Sequence, residues 1–178
     1  MNAKICIALS FFFACLCIAQ SGYSQADQKL TREIFKEMIE INTTNSTGST
    51  TKASAAVAAR LKAAGFTDDD IFLGGAAENK GNIVARLKGS GKRKPLLLLA
   101  HLDVVEAPRV DWTTDPFKFE EIDGYYYARG SSDDKAMASI FVANMIRMKK
   151  EKFMPDRDII MALTADEEGG DHNGVDWL

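Results

Sequence analysis

The chain has 178 residues, with 22 basic and 25 acidic side chains and a formal net charge of −3. A chain of this length with 46% hydrophobic residues can form one globular domain with a sizeable core. No basic patch stands out, so nucleic acid is not expected as a partner. The only cysteines are Cys6, Cys15 and Cys17, all close to the amino terminus.

Residues 1–26 have the features of a secretory signal peptide. Lys4 supplies a positive start, and an apolar run follows from Ile5 to Ala19. The tripeptide Ser24-Gln25-Ala26 then offers a small-x-small cleavage site. A bilayer-spanning helix needs about 20 apolar residues. The sequence therefore favours a cleaved leader over a membrane anchor.

The mature part expected after cleavage is residues 27–178, which contain 25 acidic and 21 basic side chains and thus a net charge of −4. It contains no cysteine, so neither disulfides nor thiolate chemistry are available to it. The residues before Cys15 and Cys17 fit a lipoprotein site poorly. We expect an exported protein, periplasmic or extracellular, with no stable membrane insertion after cleavage.

Apolar residues at helical spacing predict three helices, near residues 27–41, 50–64 and 134–150. The methionines of the third helix are typical of core packing rather than of a cofactor site. We predict strands near residues 82–87, 95–100, 158–163 and 118–128. Together these elements indicate an α/β fold with a mixed sheet.

Two details of the sheet follow from short-range patterns. The run Leu96–Ala100 is entirely apolar, which predicts a strand buried on both faces. Gly89-Ser90-Gly91 separates it from the strand before, so the two are predicted to pair as an antiparallel hairpin. Asp123-Gly124 predicts a second hairpin turn inside residues 118–128.

Three polar clusters follow predicted strands: His101-x-Asp103, Asp133-Asp134 and Asp166-Glu167-Glu168. Catalytic groups collect at the carboxyl ends of strands in open α/β sheets. So many carboxylates close together are unfavourable unless a cation is bound among them. A histidine with carboxylates and no thiolate is typical of a hydrolytic zinc site with an open position for water.

The pair His101 and Asp103 has two interpretations. The imidazole would bind the metal through one ring nitrogen, while the carboxylate binds the other and fixes the tautomer. An isolated His-x-Asp at a strand end is more often an ordinary hydrogen-bonded histidine. The convergence of three clusters favours the metal site.

Other kinds of site have weaker support. A Gly-x-Ser-x-Gly motif is absent, and Ser131 and Ser132 have no general base implied beside them. His172 has no ligand-spaced partner, so we interpret it as a surface histidine. Asp68-Asp69-Asp70 lacks the glycine and distal glutamate of a calcium loop, which favours a solvated turn.

The runs HLDVVEA, YYARGSSDDKA and TADEEGG resemble the three N-terminal motifs of the co-catalytic zinc exopeptidases. That family includes glutamate carboxypeptidase, succinyl-diaminopimelate desuccinylase, acetylornithine deacetylase, aminoacylase and carnosinase. The resemblance covers nearly all of residues 27–178 and implies a three-layer α/β/α catalytic domain. It departs from the family at Glu106, where many members have proline, and at Ala128 and Ala136, where they have glycine. None of these positions is a metal ligand in the family.

The resemblance implies a metal site with two Zn²⁺ ions per full-length subunit, for which cobalt or manganese could substitute. His101 would bind one zinc and Glu168 the other. Asp133 would bridge both, with a cis peptide bond to Asp134. These three ligands, His101, Asp133 and Glu168, are the predicted metal-binding residues of this chain.

The resemblance also implies two catalytic residues that are not ligands. Asp103 would orient the imidazole of His101, and Glu167 would be the general base for a zinc-activated water that attacks an amide carbonyl. The expected substrate is a small peptide or an N-acyl amino acid, cleaved by an exopeptidase, dipeptidase or deacylase activity.

The family needs two further ligands and a lid domain, and neither is found before Leu178. We therefore interpret the chain as a truncated catalytic domain that is inactive alone and dimerises only with the lid. Two alternatives remain open: a non-catalytic exported binding domain on the same fold, and a structural remnant whose acidic loops bind a cation.

Overall fold

The structure is a computed structural model that describes residues 24–178. The predicted leader, residues 1–26, lies almost wholly outside the described residues. Its predicted cleavage site does not: Ser24 caps helix α1, which spans Gln25–Glu40. The Ser24 hydroxyl and the Asp27 carboxylate bind each other's backbone N–H groups in a capping box. Helix α1 thus begins at Gln25, two residues before the predicted start at residue 27.

The other two predicted helices are confirmed as α2 (Thr50–Ala63) and α3 (Lys135–Lys150). Helix α2 ends where Gly65 adopts a left-handed conformation with φ of 99°, which suits glycine. Helices α1 and α3 pack side by side, and α2 and α3 lie against the sheet. A fourth helix of one turn, α4 (Gly174–Trp177), ends the described chain.

The strands of the described residues are β1 (Ile71–Gly75), β2 (Gly81–Leu87), β3 (Leu96–His101), β4 (Glu120–Ile122), β5 (Tyr125–Tyr127) and β6 (Ile159–Thr164). The main sheet is mixed and has the strand order β1-β2-β6-β3, while β4 and β5 form a separate pair. Strand β6 is antiparallel to β2 and parallel to β3, and β1 pairs antiparallel with β2. The α/β class with a mixed sheet is thus confirmed.

The predicted hairpin between residues 82–87 and 95–100 is wrong, because β6 lies between β2 and β3. The connection between them binds the segment that leads into β6 instead of turning back on β2. The Ser90 N–H donates to the carbonyl oxygen of Pro155 at 2.8 Å, and the Leu96 N–H donates to that of Asp158 at 2.9 Å. The segment Gly89-Ser90-Gly91 does connect β2 to β3, but these two strands are not neighbours in the sheet.

Residues 118–128 form a hairpin, but it is not part of the main sheet. Within residues 24–178, strands β4 and β5 pair only with each other as a two-stranded sheet. Asp123 and Gly124 both have positive φ, 51° and 82°, as a two-residue hairpin turn of type I′ requires. The hairpin packs on α1, where the ring of Phe35 contacts that of Tyr126 edge-on at 5.5 Å between ring centroids.

The main core lies between one face of the sheet and the three long helices. Strand β6 is central and almost wholly buried. The prediction that Leu96–Ala100 is buried on both faces is wrong, since Leu96, Leu97 and Leu99 are 45%, 56% and 46% exposed. Strand β3 is at the edge of the sheet, and Leu97 and Leu99 point to the face opposite the long helices. On that opposite face, Phe72 stacks on Trp177 of α4.

Among residues 24–178, no helix combines the length and the apolar character that crossing a membrane requires.

Candidate metal centre

Two parallel strands end at the same edge of the sheet and place two of the three polar clusters side by side. His101 is the last residue of β3 and is paired in register with Thr164, the last residue of β6. The Leu102 N–H donates to the Thr164 carbonyl oxygen at 2.8 Å, so the two segments that follow β3 and β6 start out close together. The segments with Asp103 and Glu168 therefore leave the sheet as neighbours.

The third cluster reaches this edge from the turn before α3. Asp133 Oδ1 lies 2.9 Å from Nε2 of His101. Potential ligand atoms of His101, Asp133 and Glu168 all lie within 4.8 Å of one another. The peptide bond between Asp133 and Asp134 is cis, as the resemblance implies. The structure therefore brings the three predicted ligands together, while their role as ligands stays a prediction.

Asp103 differs in detail from its predicted geometry. Its backbone carbonyl oxygen, not its carboxylate, is within hydrogen-bond distance of His101 Nδ1, at 3.1 Å. Carboxylate oxygen Oδ1 is 3.5 Å from that nitrogen and has no hydrogen-bond partner among the described residues. Oδ2 accepts the backbone N–H of Glu168 at 2.9 Å. Asp103 therefore connects the His101 strand end to the Glu168 turn and supplies negative charge beside the imidazole.

The charges of the site shift the pKa values of its members in opposite directions. Burial disfavours the imidazolium, but Asp103 and Asp133 outweigh burial and raise the pKa of His101 to about 9. Burial would raise the pKa of Asp103, yet His101 and the Glu168 N–H lower it below its usual value. Burial and the neighbouring Asp133 raise the pKa of Glu168, and burial raises that of Asp134. Anionic carboxylates are thus only partly compensated by one imidazole.

The donor set and its exposure fit a divalent cation. One imidazole nitrogen and two carboxylate oxygens are ligands that zinc accepts, and a cation would compensate the excess negative charge. The side chain of His101 is only 10% exposed, whereas those of Asp133 and Glu167 are 73% and 56% exposed. Glu167 Oε2 lies 3.9 Å from His101 Nε2. The ligand group is therefore anchored at its base and open to a small molecule from solvent.

Two buried lysines near the site were not predicted. Lys80 pairs with Asp166 at 2.5 Å, with side chains only 8% and 2% exposed. Lys135 is fully buried beside the Asp133–Asp134 turn and donates to the Ile41 carbonyl at 2.9 Å. Burial lowers the pKa of Lys135 to about 7. Lys135 lies in the run YYARGSSDDKA, but neither this run nor composition predicts the burial of the two lysines, which depends on segments that meet only in the folded chain.

His172 is exposed, as predicted, and its backbone N–H donates to Asp166 Oδ2. Asp68–Asp70 form a short 3₁₀ turn in which Asp70 is paired with lysines.

Solved structures with the same fold define the class of this domain. The chain superposes on human carnosine dipeptidase 1 with a TM-score of 0.66 and 21% identity, over 83% of this chain and 34% of that one. It superposes on an M20 family metallo-carboxypeptidase from Sulfolobus solfataricus with a TM-score of 0.62 and 17% identity, over 78% and 31% of the two chains. These likenesses show that the chain has the fold of the corresponding parts of those two proteins.

Sequence comparison shows which family the chain resembles. The profile of Peptidase family M20/M25/M40 matches residues 97–178, which contain all three motifs. The succinyl-diaminopimelate desuccinylase of Delftia acidovorans is 36% identical over 117 residues, or 65% of this chain and 30% of that protein. Residues 97–178 are thus similar to the M20/M25/M40 peptidase family, which confirms the resemblance drawn from the motifs. The chain spans only about a third of the length of that relative.

Proposed function

We propose that this chain supplies part of the active site of a zinc-dependent hydrolase that cleaves amide or peptide bonds. The observation that supports it most directly is the group of ligand atoms of His101, Asp133 and Glu168 within 4.8 Å. The similarity of the matched region to that family supports the same reaction class.

Each protein group has a separate part in this proposal. His101, Asp133 and Glu168 would bind zinc, and cobalt or manganese are possible substitutes because they accept the same donors. Zinc, when bound, supplies a Lewis acid that polarises a carbonyl and increases the acidity of water. The pKa of about 9 for His101 means that its proton must leave before the imidazole binds a metal.

Glu167 is the proposed general base. Its carboxylate is exposed and lies 3.9 Å from the imidazole of the proposed ligand His101. From there it can accept the proton of the water that attacks the substrate carbonyl. It can then return that proton to the leaving nitrogen, so that a neutral amine departs. Asp103 acts on His101 through its charge and on Glu168 through the backbone.

For the substrate we propose a small peptide or an N-acyl amino acid. The names of the relatives point to both, since one is a desuccinylase and one a dipeptidase. The open side of the ligand group, with Asp133 and Glu167 both exposed, suits either amide. We also propose that the protein is exported, which rests on the pattern of residues 1–26.

The test is zinc binding by the chain, measured by competition with a chromophoric chelator. We expect zinc to bind the unaltered chain and His101→Ala to abolish that binding. His172→Ala is the matched control, because His172 is exposed and alanine keeps the backbone N–H that donates to Asp166 Oδ2. Equal zinc binding by the unaltered chain and His101→Ala would refute the site. Zinc binding without turnover in a form that carries the further ligands and lid implied by the resemblance would favour the alternative of a non-catalytic cation-binding domain.

A further inference from the structure

We propose that Lys80 is a positioning residue for the turn that presents Glu167 and Glu168. Its buried ion pair with Asp166 would fix the conformation of that turn, and thereby the affinity of the site for zinc. This inference rests on the proposed function, because it takes Glu168 to be a zinc ligand.

Lys80 connects three segments that meet only in the folded chain. It directly precedes β2, and its side chain is 8% exposed. Its ammonium group lies 2.5 Å from Asp166 Oδ1 and also donates to the side-chain oxygen of Asn45, in the loop between α1 and α2. A buried ammonium group needs such partners, because burial of an unpaired charge is strongly unfavourable. Lys80 thus ties the Asn45 loop and the Asp166 turn to the sheet.

Asp166 is the residue at which the chain changes direction after β6. It has a positive φ of 56°, a left-handed conformation that aspartate tolerates better than most residues. Its second carboxylate oxygen accepts the His172 N–H at 3.2 Å, and its backbone carbonyl accepts from the Asn173 side chain at 3.3 Å. The Asp166 side chain is 2% exposed and Lys80 is the cation paired with it, and a buried carboxylate left without such a partner would be strongly unfavourable.

The next two residues show why this ion pair matters for the site. Glu167 and Glu168 follow Asp166 directly, and the Glu167 side chain is 56% exposed. The exposed Glu167 side chain has little packing to fix it and Glu168 is only half-buried, so the direction of both depends largely on the backbone of the turn. That backbone is bound on one side by Asp103, at the Glu168 N–H, and on the other by the ion pair at Asp166. Precise ligand geometry depends on such supporting contacts.

The experiment compares zinc affinity and thermal stability in four forms of the chain. Lys80→Met removes the ammonium group and keeps the length of the side chain. The double variant Lys80→Met/Asp166→Asn removes both charges, so that it folds even if the single variant is too unstable. Asp70→Asn is the matched control. Asp70 is likewise buried and paired with lysines, but it lies at the opposite end of the sheet, where β1 begins. Zinc dissociation constants are measured by chelator competition, and thermal midpoints without metal.

We expect Lys80→Met and the double variant to bind zinc about 10–100-fold more weakly, the range typical for loss of a group that orients ligands. Asp70→Asn should lower the thermal midpoint and leave zinc affinity unchanged. A double variant that binds zinc as tightly as the unaltered chain would overturn the inference, as would an equal loss of affinity in Asp70→Asn. If the unaltered chain fails to bind zinc, the proposed function fails instead.

Discussion

The two ends of the main sheet both contain buried acids, but they treat negative charge differently. At the end where β1 begins, Asp70 lies within 3.6 Å of the ammonium groups of both Lys88 and Lys149. Burial would raise the pKa of Asp70, but Thr67 and Lys149 outweigh burial and lower it. At the same end, the Gly89 N–H, with Arg86, lowers the pKa of Asp158.

At the other end, where β3 and β6 finish, the carboxylates outnumber the cations that face them. Burial and Asp133 raise the pKa of Glu168, and burial raises that of Asp134. The pKa of His101 is raised to about 9, because two carboxylates beside it outweigh the effect of burial. One end is electrostatically satisfied and serves the fold. The other retains excess negative charge, which is the property of a site for a cation.

The largest effect that would sharpen this contrast is expected from Glu167→Gln in a form of the protein that carries the further ligands implied by the resemblance. Turnover should fall about 10²–10⁴-fold, because the amide cannot accept the proton of the attacking water. Zinc affinity and thermal stability should be unchanged, since the carboxylate is exposed and is not a proposed ligand. Steady-state kinetics and zinc content measure the two effects.

Asp171→Asn is the control for Glu167, because Asp171 is an exposed carboxylate in the same loop. A parallel loss of zinc and turnover in Glu167→Gln would show that Glu167 is a ligand rather than the base.

The second effect is expected from Asp103→Asn. Zinc affinity should fall about 10–100-fold, because the charge beside the imidazole is lost while an oxygen remains for the Glu168 N–H. Asp70→Asn, a buried acid at the satisfied end, should lower stability and leave zinc affinity as it was. If Asp103→Asn binds zinc normally, the His-x-Asp pair is a structural feature of a strand end.

Periodicity and strand-end chemistry were sufficient to predict most elements and the convergence of three polar clusters, while the resemblance supplied His101, Asp133 and Glu168 as the particular ligands. The strand order was not predictable from the same information. Gly89-Ser90-Gly91 is a sound local turn signal, but β6, which inserts between β2 and β3, comes some 60 residues later in the chain. Strand β1, Ile71–Gly75, was missed because two of its five residues are glycine and its apolar residues do not alternate.

The contacts that complete the site were missed for a similar reason. The ion pair of Lys80 and Asp166 joins residues 86 positions apart. The exposure of Leu97 and Leu99 depends on which strand lies at the edge of the sheet, which composition cannot specify. The spacing between His101 and Asp103 did predict a contact, but not that the carbonyl oxygen would be nearer than the carboxylate.

The third prediction concerns pH and the metal-free fold. His101 has its pKa raised from 6.5 to about 9, so its charged form stabilises the folded chain fully below pH about 6.5. This contribution is lost as the pH rises toward 9. Lys135 has the opposite effect on stability. Burial lowers its pKa from 10.5 to about 7. Its contribution to the free energy of unfolding therefore rises as the pH increases above about 7. Comparing the unaltered chain with His101→Gln separates the contribution of His101 from that of Lys135, because the variant retains Lys135.

The measurement is the free energy of unfolding in urea, with a chelator present, at several pH values across this window. The difference between the unaltered chain and His101→Gln should shrink as the pH rises. Zinc should reverse the trend for the unaltered chain, because the neutral imidazole binds metal. A difference that is independent of pH would show that His101 is not charged in the metal-free fold.

The smallest effect is expected at Glu106, which lies just beyond the His101 strand end but outside the ligand group. Its carboxylate accepts the backbone N–H and the hydroxyl of Ser46, both at 2.9 Å, on an exposed surface. Glu106→Ala should lower the free energy of unfolding by about 0.5–1.5 kcal/mol, because water replaces these bonds. Glu106→Gln, which keeps one acceptor oxygen, should lower the free energy of unfolding by less, and zinc affinity should be unchanged in both variants.

Urea unfolding measures the stability of these variants, and chelator competition measures their zinc affinity. A loss of zinc affinity in Glu106→Ala alone would mean that the Ser46 loop supports the metal site, and the uncompensated end of the sheet would then extend further than the three clusters.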